Sequence, residues 1–338
     1  LRRTHRTLDS AQTAHVVVDG KPCVAFCSND YLGLANHTEL IAAACQGAQQ
    51  YGLGAGASHL VLGHSRAHEA LEAALAAFVQ LPRALLFSTG YMANLGVITA
   101  LMGRDDAVFA DRLNHASLND ACLLSRAAFK RFAHNDLAQL DALLGASNAK
   151  RKLIAVDAVF SMDGDIAPLP DLLALTERHD AWLLVDDAHG LGVLGAHGRG
   201  VLEHFGVYSD RVVYMGTLGK AAGVFGAFAA GSAELCEWLV QRARTYIYTT
   251  AMPPLLACAL MKSVELIADG GALRQQLQKN IYQLKQILTS IPSSWRLLSS
   301  DTAIQPLIIG DNRAALAVAD ALKARGILVP AIRPPSVP

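Results

Sequence analysis

Short apolar runs alternate with amphipathic stretches along most of this chain. Trp182-Leu183-Leu184-Val185 and Val212-Val213-Tyr214-Met215 are apolar at successive positions and are bounded by charge or glycine. That pattern predicts strands buried on both faces of a parallel sheet. Similar runs predict strands over 84–87, 107–110, 152–156 and 227–230, and 128–132 reads as a further short strand. Between them, helical patterns run over 93–102, 117–125, 136–144 and 169–179. Such βα alternation implies an α/β fold, with a mainly parallel sheet covered by helices. Residues 1–35 read as an N-terminal arm containing a hairpin, 15–18 against 23–26, turned at Asp19-Gly20. Helices over 38–51 and 65–80 flank a glycine-rich loop, Gly52 to Gly56. A long helical region over roughly 232–288 is broken at Met252-Pro253-Pro254. A strand over 303–309, a helix over 314–325 and a strand over 327–330 follow. The expected organisation is an arm (1–35), a large domain (36–265) and a smaller C-terminal α+β domain (266–338).

The composition bounds the function classes. Of 338 residues, 52% are hydrophobic and 17% charged, enough apolar material for a large core. Lys+Arg and Asp+Glu are both 29, so the net charge is +0, and no basic face argues for nucleic acid or an anionic membrane. The six cysteines show neither zinc nor redox spacing, and reduced thiols in a cytoplasmic protein are expected. His64 and His68 are four apart but lack a third ligand, so no metal is expected and both read as exposed helix positions. The glycine-rich loop follows a helix rather than a strand, against a dinucleotide fingerprint. No Gly-x-Ser-x-Gly elbow occurs.

The chemistry concentrates at predicted strand ends, where open α/β sheets bind ligands. Asp186 and Asp187 end one apolar run. Thr217-Leu218-Gly219-Lys220 follows the next. Lys220 lies among small residues, where lost hydration lowers an amine's pKa and makes it a nucleophile or base. An acid and a lysine on one crevice suit pyridoxal 5'-phosphate: the lysine forms the Schiff base, and Asp186 keeps the pyridine nitrogen protonated. Asp187 points to the other face. His189 is placed for the cofactor's ring oxygen, and Thr217 for its phosphate. Three further turns are candidates with simpler alternatives. Gly90 and Tyr91 open a helix that can take phosphate, or form an ordinary βα turn. His115 lies on the ring, or caps a helix. Ser161 orients a ring substituent, or belongs to an Asp- and Gly-rich turn.

The order of these segments carries more than any one of them. Ser28-Asn29-Asp30-Tyr31-Leu32-Gly33, Phe160-Ser161-Met162-Asp163-Gly164-Asp165, Asp186-Asp187-Ala188-His189-Gly190 and Thr217 to Lys220 resemble the signature series of the α-oxoamine synthases. These are pyridoxal-phosphate enzymes of fold type I that join an amino acid to an acyl thioester with loss of carbon dioxide. The resemblance covers essentially the whole chain. It implies a seven-stranded, mainly parallel sheet and a homodimer with sites at its interface. Lys220, Asp186, His189 and His115 are the implied catalytic residues. Gly90, Tyr91, Ser161 and Thr217 are the implied cofactor contacts, and Thr250 reaches the phosphate of the neighbouring subunit. Arg2 and Ser336 would meet substrate. The runs Ala303 to Leu307 and Ala331 to Pro338 are similar to those of members that condense L-alanine with a pimeloyl thioester; a sister synthase using glycine and acetyl-CoA, or an aminotransferase of the same fold, is the alternative. Three positions depart from the family: Asp157 replaces a longer acid, Ser336 a threonine, and Ser58 to Gly63 a more basic loop. The family continues beyond the Pro-rich end with a carboxylate-binding arginine, so the sequence reads as an incomplete chain.

Overall fold

A computed structural model describes residues 5–290, 292, 294–334 and 337. The arm forms β1 (His15–Val18) and β2 (Lys21–Ala25), an antiparallel hairpin turned by Asp19 and Gly20, both at positive φ. Helices α1 (Thr38–Tyr51) and α2 (Arg66–Val79) lead into the main sheet. The βα series then runs β3 (Arg83–Phe87), α3 (Gly90–Leu101), β4 (Ala107–Asp111), α4 (Ala116–Ser125), β5 (Ala128–Phe132), α5 (Leu137–Gly145), β6 (Lys152–Asp157), α6 (Leu169–Arg178), β7 (Trp182–Asp186), α7 (Val201–Phe205), β8 (Val212–Thr217) and β9 (Ala227–Gly231). The rest comprises α8 (Ala233–Arg242), α9 (Arg244–Ile247), α10 (Pro254–Ala268), α11 (Gly271–Ile287), β10 (Arg296–Leu297), β11 (Leu307–Ile308), α12 (Asn312–Ala324) and β12 (Ile327–Leu328).

Seven strands form the main sheet in the order β3-β9-β8-β7-β6-β4-β5. Only β9 runs against its neighbours. Successive residues face opposite layers, and both layers are apolar. Leu183 belongs to the same buried cluster as Phe109, Ile154 and Leu260, whereas Leu184 belongs to a second one with Val97, Leu118 and Leu153. This double burial is why the strands other than β5 read as apolar runs; β5, at the sheet edge, carries Lys130 and Arg131. The arm hairpin does not stand apart, because β12 adds to β2 in parallel and completes a three-stranded sheet.

Three expectations are corrected. The helical region has extra breaks at Ala243 and at Asp269-Gly270, besides the one before Pro254. The strand expected over 303–309 shrinks to Leu307–Ile308, paired with the unforeseen Arg296–Leu297. Gln305 explains part of that loss, because its side-chain amide donates to the carbonyls of Ser300 and Thr302 and curls the chain there. His68 is not an exposed helix residue: it is fully buried, and its Nε2 donates to the Met252 carbonyl at 2.8 Å. His64 is exposed, but it precedes α2. Among the described residues no group of acids, histidines and cysteines is arranged to hold a metal, and no helix is long and apolar enough to cross a membrane.

Candidate active site

The carboxyl ends of β6, β7 and β8 lie side by side. Asp157 and Asp186 are register partners, Met215 pairs with Asp186, and Thr217 ends β8. Asp186 is buried. Its Oδ2 accepts from the Asn94 side-chain amide at 2.6 Å, and its Oδ1 accepts from the Ala188 backbone N–H at 3.0 Å. Burial raises its carboxyl above the ordinary value, while Asn94 and the charge of Lys220 pull it back. Asp157 is pushed well above that value by burial and then by Asp186. Two adjacent buried carboxyls do not both ionise, so Asp157 keeps the proton of the pair.

Lys220 stands in a tight turn after β8, closed by bonds from Leu218 N–H to Gly226 and from Gly223 N–H to Lys220. Gly223 has φ +71, and a Cβ there would come within 2.6 Å of Ala35 N. The arm therefore lies directly on the lysine turn, and only glycine fits the contact. The arm motif is fixed by its own acid: Asp30 accepts from the N–H groups of Leu34 and Ala35 at 2.9 and 3.1 Å. Burial lowers the Lys220 amine, against the pull of Asp186 and Asp157.

His189 links arm and lysine. Its Nε2 accepts from Lys220 Nζ at 2.8 Å, and its Nδ1 lies 2.6 Å from Tyr31 Oη. Burial, then the Lys220 charge and the nearby His115, push it down to about 3, so the ring is neutral at pH 7. With Nε2 accepting, Nδ1–H donates to the tyrosine oxygen. His115 is the exposed N-cap of α4. Its backbone N–H donates to Asp157 Oδ2 at 2.8 Å, and its Nδ1 accepts from Ser117 Oγ at 2.7 Å. Asn94 donates to the same Ser117 oxygen at 2.9 Å, so one polar chain joins His115 to Asp186.

Gly90 and Tyr91 open α3. A Cβ on Gly90 would lie 3.8 Å from Thr217 Oγ1, which places the helix's free N–H groups beside that hydroxyl. Tyr91 is exposed, and its hydroxyl donates to Asp120. Ser161 lies half-buried on the turn after β6. Thr250 is exposed and bridges to Ser58, on a different segment from these groups. Arg2 and Ser336 lie outside the described residues. Asn94, Ser117 and Tyr31 were not singled out from sequence. A lone amide inside the apolar helix Ala93 to Leu101 was the available signal for Asn94.

Residues 21–338 match the class I and II aminotransferase family. The chain belongs to that family. It is 64% identical over 338 residues to an 8-amino-7-oxononanoate synthase of Nitrosospira multiformis, a match covering all of this chain and 85% of that protein. A serine palmitoyltransferase of S. paucimobilis, solved with a pyridoxal-phosphate–myriocin adduct, has a TM-score of 0.94 at 31% identity, covering 99% of this chain and 84% of that one. An 8-amino-7-oxononanoate synthase of Francisella tularensis has a TM-score of 0.81 at 31% identity, covering 93% and 89%. The fold is thus fold type I, and the chain is a pyridoxal-phosphate-dependent acyltransferase of this family. The crevice fits that cofactor: a buried carboxyl to accept from the pyridine nitrogen, a desolvated amine, and a helix start beside a hydroxyl to donate to phosphate are the groups it needs.

Proposed function

We propose that this enzyme condenses L-alanine with a pimeloyl thioester, on coenzyme A or a carrier protein, to give 8-amino-7-oxononanoate, carbon dioxide and the free thiol in biotin biosynthesis. The reading rests on 64% identity to a synthase of that product, together with the Lys220–His189–Asp186 crevice. Pyridoxal phosphate, when bound, supplies an electron sink for the pair of electrons left at the amino-acid Cα.

The chain's residues supply the rest. Lys220 Nζ would hold the cofactor and, once displaced by alanine, take the Cα proton. Its burial favours the neutral amine that a base requires. The Asp186 carboxylate would hold the proton on the pyridine nitrogen, and the Asn94 amide favours its ionised form against burial. His189 would face the ring oxygen through its Nε2 edge, and Tyr31 sets its ring orientation. His115 would cover the ring face, with Ser161 near the ring oxygen. Gly90, Tyr91 and Thr217 would form the phosphate end. The alanine Cα then bonds to the thioester carbonyl, the C–S bond breaks and the thiolate takes a proton. Carbon dioxide leaves the resulting β-keto acid, and Cα is reprotonated.

The same reading includes a cytoplasmic homodimer, in which Thr250 would reach the partner's phosphate and Arg2 and Ser336 would meet substrate. Exposed Leu60, Val61 and Leu62 beside the Ser58–Thr250 bridge support an apolar subunit face there, and six free cysteines suit a reducing compartment.

The test is to incubate the enzyme with L-alanine and pimeloyl-CoA and to identify the product by mass. Glycine with acetyl-CoA and serine with palmitoyl-CoA serve as competing pairs. The alanine product is expected to dominate. Turnover of only a competing pair, or keto-acid release from alanine without a thioester, overturns the reading.

A further inference from the structure

Outside the crevice, one histidine ties together three segments that approach it. His134 follows β5. Its Nε2 lies 2.8 Å from Asp165 Oδ2, and its Nδ1 lies 3.1 and 3.2 Å from the two Asp111 oxygens. With an acid on each nitrogen, both nitrogens donate, and the ring is an imidazolium. Burial works against that charge, but the bonds to Asp111 and Asp165 hold the group up to about 10. Asp163, the third acid nearby, is pushed up by burial and then by Asp165, with His134 pulling the other way. The ring also stands edge-on to buried Phe160, with centroids 4.4 Å apart.

Each acid anchors a different wall. Asp111 ends β4 and accepts from Leu113 N–H at 2.8 Å, so it fixes the turn leading to His115. It also accepts from Asn135 N–H. Asp165 closes the short turn that carries Ser161, in which Phe160 N–H donates to Asp165 and Gly164 N–H donates back to Phe160. The far side of that turn is held by the C-terminal part of the chain. Buried Ser300 and Thr302 both donate their hydroxyls to the Gly164 carbonyl, at 2.9 and 3.0 Å.

We infer that His134, bridging Asp111 and Asp165, is a positioning residue that clips the Ser161 turn to the His115 turn and so sets the gap between the two groups that flank the cofactor. The inference rests on the roles proposed above for His115 and Ser161. His134 touches neither cofactor nor substrate. It acts by denying the 160–165 turn a position independent of β4.

The test uses the holoenzyme with His134→Ala, Asp165→Asn and the double variant. Backbone hydrogen exchange in 160–165 and 112–117 should rise by about tenfold or more in each single variant, with the β7 and β8 core unchanged. The cofactor's visible band should shift, and kcat should fall with little change in the KM for the amino acid. The double variant should be no worse than the worse single variant, because both remove one clip. Unchanged exchange at both turns, exchange raised uniformly along the chain, or fully additive effects would each overturn the inference. If His134→Ala does not fold, Asp165→Asn alone must still loosen 160–165 locally; otherwise the clip is refuted. Exchange is read without substrate. A failure of the alanine–pimeloyl assignment is therefore distinguishable from a failure of the clip.

Discussion

The side-chain amide of Asn94 donates to Asp186 Oδ2 at 2.6 Å, although 92 positions separate the two in sequence. It is the largest of the influences that lower the buried carboxyl. Asn94→Ala should therefore raise the Asp186 pKa further and leave an acceptor without its donor. We expect a stability loss of about 1–3 kcal/mol and weaker cofactor retention. Denaturant unfolding and equilibrium dialysis of the cofactor check both. An unaltered dialysis result would remove Asn94 from the site.

Asp157 and Asp186 should respond differently to amide replacement. Asp157 is the carboxyl that keeps its proton, so Asp157→Asn retains an uncharged acceptor for His115 N–H and should keep activity within a few-fold. Asp186→Asn removes the charge that would hold the pyridine proton and should lower kcat by about 10²-fold or more. Equal losses in the two variants would contradict the assignment of the proton.

Lys220→Ala should abolish both turnover and the visible absorbance of lysine-bound cofactor. Borohydride reduction of the wild-type enzyme followed by peptide mapping should place the pyridoxyl group on Lys220. A tag on any other lysine sinks the assignment.

Two sets of histidines predict opposite pH dependences. His59 and His189 are each pushed down to about 3, chiefly by burial, from an ordinary value of 6.5. Their contribution to stability is complete above pH 6.5 and is lost as pH falls toward 3. His134 is raised to about 10, so its contribution is complete below pH 6.5 and is lost as pH rises through 10. Unfolding free energies over this range should show His134→Gln converging on wild type at high pH. Replacing His59 should flatten the acid limb.

Gly200→Ala should be among the costlier single changes. Gly200 has φ +93, and a Cβ there would lie 1.9 Å from Asp187 Oδ2 and 2.6 Å from Tyr214 Oη. Asp187 accepts from Val201 N–H and from Tyr214 at 2.7 and 2.8 Å, so the clash falls on a buried network. A loss above about 3 kcal/mol is expected, measured by chemical denaturation. A loss near that of an ordinary surface glycine would show that the network relaxes freely.

Much of this arrangement was written along the chain. Double burial makes the strands of the main sheet other than β5 visible apolar runs, so the places of Asp186 and Thr217 at strand ends, and of Lys220 just beyond one, were legible in the chain itself. The short strands near the C-terminus were not, because two-residue pairings such as Leu307–Ile308 have no period to detect. The burial of His68 was not legible for a related reason: its hydrogen-bond partner, the Met252 carbonyl, is 184 positions away.

Sequence alone determined the βα alternation and the residue types at the crevice, because periodicity and strand-end chemistry are local properties. Only the tertiary structure decided which acid of the buried pair keeps its proton, which hydroxyl meets His189, and what grips the turns bearing His115 and Ser161. Those outcomes depend on desolvation and on distances of about 3 Å between groups far apart in the chain, and no local pattern encodes either.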